Sequence, residues 1–316
     1  MELLHDGVDR VPADVETAVS IGAYDGIHRG HRTVLSTLCD LARERGLAPA
    51  VVTFDEHPAR VVRPENAPLL LTDNEQRMEL FADVGIEWLY LLQFDQARSQ
   101  TSGASFVQNT LVDRLNAKLI VVGSDFHFGK GRSGNVDTLR EMGESLGFEV
   151  VGLDLFTQAD AAEPISSTAI RRALAGGDIE SVTAMLGRRY EVRGEVVTGD
   201  QRGRLIGFPT ANLAFEPDRA WPATGVYAAW VELADGRRFG SALNIGMRPT
   251  FDQRAEHPTL EAHLLDFDED LYGQQIAVKF VDFLRSEQRF NGIDEISAQL
   301  KKDVEAARMV LSADAD

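Results

Sequence analysis

The chain has 316 residues, 44% hydrophobic and 26% charged, a balance that fits a globular protein and sits more comfortably in two domains than in one. Its formal net charge of -18 opposes wrapping a nucleic acid backbone, which needs a surplus of Lys and Arg on the contact face. No apolar run is long enough to span a membrane or to serve as a signal peptide, and a lone cysteine, Cys39, excludes an internal disulfide and any multi-cysteine metal site. These features predict a cytoplasmic protein with no nucleic acid or membrane partner, and Cys39 reads as helix packing.

From residue 17 to residue 156, short apolar runs at 18–26, 48–55, 88–95, 117–129 and 148–156 alternate with stretches of helical period at 31–46, 74–85, 105–116 and 136–147. Continuously apolar strands separated by amphipathic helices, each closing on Gly or Asn, predict an α/β domain: a doubly wound parallel sheet covered on both faces. Two further helical stretches follow at 166–177 and 178–187. From Tyr190 the pattern turns short, alternating and turn-rich, with strand candidates at 190–199, 209–215, 225–236, 237–246, 259–267 and 275–284. Six strands with no helix between them predict a closed antiparallel β-barrel, and 294–311 reads as a C-terminal helix with a charged outer face. The expected domains are 1–186 and 187–316.

An acidic protein that concentrates Arg29, Arg32, Lys130, Arg132, Arg171, Arg172, Arg202 and Arg204 in or beside Gly-rich or hydroxyl-rich loops has local positive pockets suited to small phosphorylated ligands. In an open parallel sheet the ligand crevice lies beyond the carboxyl ends of the strands. The turn after the first run holds Gly22, Tyr24, Gly26, His28, Gly30 and His31. Two imidazoles three residues apart at a helix N-terminus can donate to a phosphate that the free amides and the helix dipole already attract. The alternative is a helix cap beside a surface histidine. No third ligand with suitable spacing supports zinc.

After the second run come Phe54, Asp55, Glu56, His57 and Pro58; after the fourth, Asp125, Phe126, His127, Phe128 and Gly129. Aromatic rings beside a polar turn either stack a planar ligand or close the core at strand ends. Beyond the fifth run, Ser166, Ser167 and Thr168 with Arg171 one turn later make either a second phosphate site or an ordinary N-cap.

The H-x-G-H turn paired with S-S-T-x-I-R resembles the nucleotidyltransferases that transfer AMP from ATP. The intervening V-T-F-D-x-H-P and V-V-G-x-D-F-x-F-G resemble the FMN adenylyltransferase module of bacterial FAD synthetases. The resemblance implies that His28 and His31 stabilise charge on the transferring phosphoryl oxygens, while Ser166, Ser167, Thr168 and Arg171 hold the triphosphate beside Gly22 and Tyr24. It places the flavin along Phe54, Asp125, Phe126 and Phe128, and magnesium on the leaving pyrophosphate. Two positions depart from the pattern: Tyr24 where Phe is expected, and Glu56 where Pro is expected.

In the second half, residues 197–212 gather Gly199, Gly203 and Gly207, Arg202 and Arg204, and a P-T-A-N tetrad in one loop. Such a loop suits a nucleotide and its metal, though it is no P-loop, and a wide barrel turn is the alternative. It resembles the signature of riboflavin kinases, as do N-I-G-x-R-P-T-F at 244–251, L-E-A-H-L-L-D-F with Glu261, and D-L-Y-G at 270–273. The resemblance implies that Gly199, Arg202 and Gly207 bind ATP, that Thr210 and Asn212 belong to the magnesium site, and that Glu261 is the base. A carboxylate within reach of a primary alcohol makes chemical sense there. Without the resemblance, Glu261 is equally an outward residue of an alternating strand. Arg189, where Pro is expected, departs from the pattern in the linker.

Overall fold

The apolar runs of the first half become one sheet in a computed structural model that describes residues 1–154, 164–199, 203, 206–214, 216, 218–248 and 257–314. The chain divides into two units, Met1–Ser167 and Thr168–Asp316.

In the first unit, β1 (Glu2–His5), β2 (Thr17–Ile21), β3 (Ala48–Phe54), β4 (Trp88–Leu92), β5 (Ala117–Gly123) and β6 (Glu149–Leu153) line up in the order β1-β4-β3-β2-β5-β6. Every neighbouring pair is parallel. The five expected strands are present, and β1 is a sixth that the sequence pattern did not single out. Only Leu4 of its four residues is buried, so it carries no periodic signal; pairing with β4 is what makes it a strand.

Parallel strands need crossovers, supplied by α1 (Arg29–Arg45), α2 (Pro58–Val62), α3 (Asn74–Val84), α4 (Gln96–Ser99), α5 (Gly103–Phe106) and α6 (Val136–Leu146). The expected helix at 105–116 runs from α5 into a wider π-type turn at Val107–Val112. Successive strand residues face opposite layers. Val19, Ile21, Val52, Ile120 and Val122 pack with Phe106, Leu111 and Leu139, whereas Ala18, Val51, Leu119 and Val121 pack with Leu35, Leu38, Ala42 and Phe81. This is the doubly wound arrangement.

Helices α7 (Ser167–Ala175) and α8 (Ile179–Leu186) precede the barrel. Its strands are β7 (Glu191–Val197), β8 (Ala211–Ala214), β9 (Gly225–Leu233), β10 (Arg238–Arg248), β11 (His257–Leu264) and β12 (Gln275–Arg285). They close in the order β10-β11-β8-β7-β12-β9, which leaves no open edge. All six pairings are antiparallel. The other alternation of β9 and β10, Ala228, Trp230 and Ala242, packs beneath α9 (Ile293–Ala313) against Ala307 and Leu311. Gly240 permits that approach, since a Cβ there would lie 2.8 Å from Leu311 Cδ1.

Candidate active sites

In the first unit the β2–α1 turn is held in an unusual backbone form. Tyr24 and Ile27 have φ of 50° and 34°, values that L side chains rarely adopt and that persist only where neighbours over-determine them. Several contacts do so. The buried Asp25 Oδ1 accepts from Leu71 N at 2.8 Å and Thr72 N at 3.3 Å, and Gly26 N donates to Thr72 Oγ1 at 3.1 Å. Ser167 Oγ donates to Asp25 O at 2.8 Å, which ties the start of the S-S-T motif to the H-x-G-H turn. Tyr24 is buried, its hydroxyl 2.5 Å from Ser20 Oγ and its ring edge-on to His31 at 5.1 Å. Burial raises the Tyr24 phenol well above its usual pKa. Gly22 leaves room for that ring, because a Cβ would stand 3.1 Å from it.

His28 is the N-cap of α1, and its Nδ1 accepts from His31 N at 3.3 Å. With Nδ1 accepting, its proton resides on Nε2. The rings of His28 and His31 stack at 3.7 Å with 16° between planes. Burial first, and the neighbouring His28 second, hold the His31 pKa well below the ordinary imidazole value. Its Nδ1 is enclosed and has no hydrogen-bond partner among the described residues. A neutral imidazole still presents one N–H, so the pair can donate to an anion without both rings being charged.

Of the expected flavin side, Phe54 is half-buried at the end of β3, edge-on to Phe94 at 5.3 Å. Asp55 Oδ1 accepts from Phe94 N at 2.9 Å and Glu56 N at 2.7 Å, and the Glu56 side chain is exposed. Asp125 is exposed and Phe126 half-buried, stacked on Phe128 at 5.7 Å. Phe128 itself is in the core: Cβ atoms built on Gly103 and Gly134 would fall 2.9 Å and 2.6 Å from its ring. Ser166 is half-buried just before α7, with Thr168 exposed and Arg171 half-buried further along that helix. Arg77, which no motif singled out, also reaches the β2–α1 turn, donating to Ala23 O at 3.1 Å.

In the second unit Glu261 lies on β11 in register with Asn212 of β8 on one side and Asn244 of β10 on the other. Leu260, Ala262 and Leu264 are buried while Glu261 and His263 are half-buried, so the carboxylate belongs to the outward alternation. The outward face is not bare. It lines a cavity of about 270 Å³ with Gly203, Phe208, Thr210 and Asn244, bounded by Arg285 at the end of β12, by Glu287 and Phe290 after it, and by Leu300, Asp303 and Val304 of α9. Asp303 is buried and takes Arg285 Nε at 2.8 Å and Nη2 at 2.7 Å, with Gln299 Nε2 at 2.9 Å. That paired charge fixes the far wall.

The Gly-rich loop meets the P-T-A-N tetrad closely. A Cβ at Gly199 would fall 2.4 Å from Asn212 Nδ2, and one at Gly203 would fall 2.2 Å from Phe208 O and 3.7 Å from Thr210 Oγ1. Gly207 is exposed with φ of 83°. Arg202, Arg204 and residues 249–251 lie outside the described residues. Asn244 and Glu287 had no assigned role in the sequence reading; the N-I-G motif was a signal for the first, and only packing reveals the second.

An FAD synthetase family model matches residues 11–169, and a riboflavin kinase family model matches residues 186–311. The chain is 36% identical over 295 residues to the bifunctional riboflavin kinase/FMN adenylyltransferase of Bacillus subtilis (strain 168), covering 92% of each. It is 36% identical over 290 residues to the Escherichia coli (strain K12) protein of the same name, covering 92% of this chain and 91% of that one. A crystal structure described as a macrolide-efflux protein from Streptococcus pneumoniae is similar with a TM-score of 0.86 at 30% identity, covering 97% of this chain and 98% of the other. The efflux name belongs to that protein; among the described residues here, no helix is long and apolar enough to cross a membrane. Two family segments in tandem, each coinciding with a built site, place this chain in the bifunctional riboflavin kinase/FMN adenylyltransferase family.

Proposed function

We propose that this chain phosphorylates riboflavin with ATP to give FMN, and then transfers AMP from a second ATP to FMN to give FAD and pyrophosphate. The observation that carries this reading is the coincidence of the two family segments with two separate built sites on one chain. We divide the activities at 186/187, with adenylyl transfer in 1–186 and the kinase in 187–316. The matched segments support this, one ending at 169 and the next beginning at 186.

In the kinase half, Glu261 takes the proton of the riboflavin 5'-hydroxyl as its oxygen attacks the γ-phosphorus, and the bond to ADP breaks. The cavity beside Glu261 holds the flavin, while Gly199, Arg202 and Gly207 hold ATP. Thr210 and Asn212 supply a hydroxyl and an amide oxygen, donors that suit Mg²⁺, an ion that completes its shell with water and substrate phosphates. When bound, that ion would neutralise phosphate charge.

In the adenylyl half, an FMN phosphate oxygen attacks the α-phosphorus and pyrophosphate leaves. The nucleophile is already an anion, so positioning and charge stabilisation supply the rate and no base is needed. His28 and His31 donate to the phosphoryl oxygens. Gly22, Tyr24, Ser166, Ser167, Thr168 and Arg171 shape the ATP side, and Phe54, Asp125, Phe126 and Phe128 the flavin side. Ser167 and Phe128 act from beneath, through Asp25 O and through Phe126. A cytoplasmic location, where ATP is made, suits this chemistry.

Incubation of the pure protein with Mg²⁺ and ATP, with riboflavin in one tube and FMN in another, followed by chromatography of the flavins, tests the proposal. FMN and FAD from riboflavin, with FAD from FMN, is the expected result. The exposed Glu56 carboxylate beside the adenylyl site favours one alternative, a kinase with an inactive first domain, for which product would stop at FMN. No product in either tube would point to a flavin or nucleotide sensor.

A further inference from the structure

We infer that Arg77 is a positioning residue for adenylyl transfer, a buried guanidinium that braces the turn carrying His28 and His31 against the end of β3; this rests on the adenylyl-transfer reading above. Arg77 sits on α3 four residues before the fully buried Phe81, so both project from the helix's inward side. It is 9% exposed. Nη1 donates to Ala23 O at 3.1 Å, and Nη2 donates to Phe54 O and to Asn74 Oδ1, each at 2.7 Å.

The location gives those bonds their meaning. The β2–β3 ladder ends at Ile21 and Val52, with one more bond from Gly22 N to Val52 O at 3.1 Å. Beyond that point the backbone ladder stops, with Thr53 Oγ1 donating to Ala23 O at 3.4 Å, and one strand enters the H-x-G-H turn while the other enters the loop of Phe54, Asp55 and Glu56. Arg77 adds the link that reaches both, to Ala23 O just before the left-handed Tyr24 and to Phe54 O at the expected flavin side. A planar fork can hold two carbonyls at fixed relative positions, whereas a lysine ammonium on a flexible stem cannot fix both.

Burial lowers the Arg77 pKa, and Asp25, Asp55 and Asp73, all near enough to act on the guanidinium charge, offset part of that cost. Asp25 anchors the other end of the same turn through Leu71 N and Thr72 N. Arg77 and Asp25 are therefore two of the anchors, with Thr72 and Ser167, of a strained turn that leads directly into His28 and the start of α1. Arg77 is enclosed and acts through the backbone, so its loss should misplace the imidazoles without removing a substrate contact.

The test uses the full chain with Arg77→Met and Arg77→Lys, each measured for thermal melting, for kcat and KM in FAD formation from FMN, and for riboflavin phosphorylation in the same preparation. Arg77→Met should lower kcat for FAD formation by about 10- to 100-fold, since small misplacements at a reacting centre have effects of that order. KM for ATP and the rate of riboflavin phosphorylation should stay within about twofold, and Arg77→Lys should fall between wild type and Arg77→Met. An unchanged kcat in a folded Arg77→Met protein, or a loss confined to KM, would overturn the assignment. Should Arg77→Met abolish both activities and the cooperative melt, Arg77→Lys decides, and a wild-type kcat there would overturn it too. Wild-type protein that makes no FAD from FMN would instead remove the adenylyl-transfer reading, and this inference with it.

Discussion

His28 and His31 stack face to face with ring centroids 3.7 Å apart, one serving as the α1 N-cap through Nδ1 and the other half-buried with its pKa held well below the ordinary imidazole value. If both act as donors to the transferring phosphoryl group, replacing either with alanine removes stabilisation of charge that exists chiefly in the transition state. Each substitution should lower kcat for FAD formation by about 10² to 10³, with riboflavin phosphorylation unchanged. Steady-state assays of both reactions on the same protein measure this.

The same pair predicts a pH dependence of stability. The His31 pKa in the fold lies below its unfolded value of 6.5, so the unfolded chain binds more protons in the interval between the two. Stability contributed by the neutral ring is therefore full above the unfolded pKa and is lost as pH falls below it, with a limiting slope of about 1.4 kcal/mol per pH unit. Melting temperatures of His31→Asn should be flatter than wild type between roughly pH 7 and pH 5. An equally steep decline in both proteins would assign the acid sensitivity to other groups.

Glu261 stands in register between Asn212 and Asn244 on a cavity wall, the position the proposed base would need. Glu261→Gln keeps the shape and loses the base. FMN formation should fall by about 10² to 10⁴ while FAD formation from supplied FMN persists. Loss of both activities in a folded protein would mean the halves do not divide the work as proposed.

Gly134 packs directly against Phe128, one of the expected flavin-side aromatics. A Cβ there would lie 2.6 Å from Phe128 Cζ, in a ring that Gly103 also abuts. Gly134→Ala should cost about 1 to 3 kcal/mol of stability through overpacking, measurable by denaturant titration, and should displace Phe126 with Phe128.

Arg285 and Asp303 form a largely buried ion pair in the wall opposite Glu261. Arg285→Met would strand the Asp303 carboxylate and destabilise the barrel by about 3 to 5 kcal/mol. The double substitution Arg285→Met with Asp303→Leu should recover most of that stability, because no unpaired charge is then left inside; calorimetry of the three variants completes the comparison.

Both architectures were legible in the sequence, because hydrophobic period reports locally which way side chains point. Continuous runs such as 48–55 became two-faced central strands, and alternating runs such as 225–236 became barrel strands. The H-x-G-H, S-S-T and P-T-A-N segments mark the turns where the proposed sites lie. The β1 strand was not legible, since four residues with one buried leucine acquire strand character only by pairing with β4. Nor was Arg77: an arginine in a polar helix reads as solvated, and only the packing of α3 on the sheet turns it toward Ala23 and Phe54. Glu261 shows the division most plainly. Alternation along β11 determined that it points away from Leu260 and Ala262, but that the outward side lines a cavity was decided by the end of β12, the segment after it and α9. Period is a property of neighbouring residues, whereas a cavity wall is made by residues far apart in the chain, so only the tertiary structure decides whether an outward carboxylate faces bulk water or a cavity.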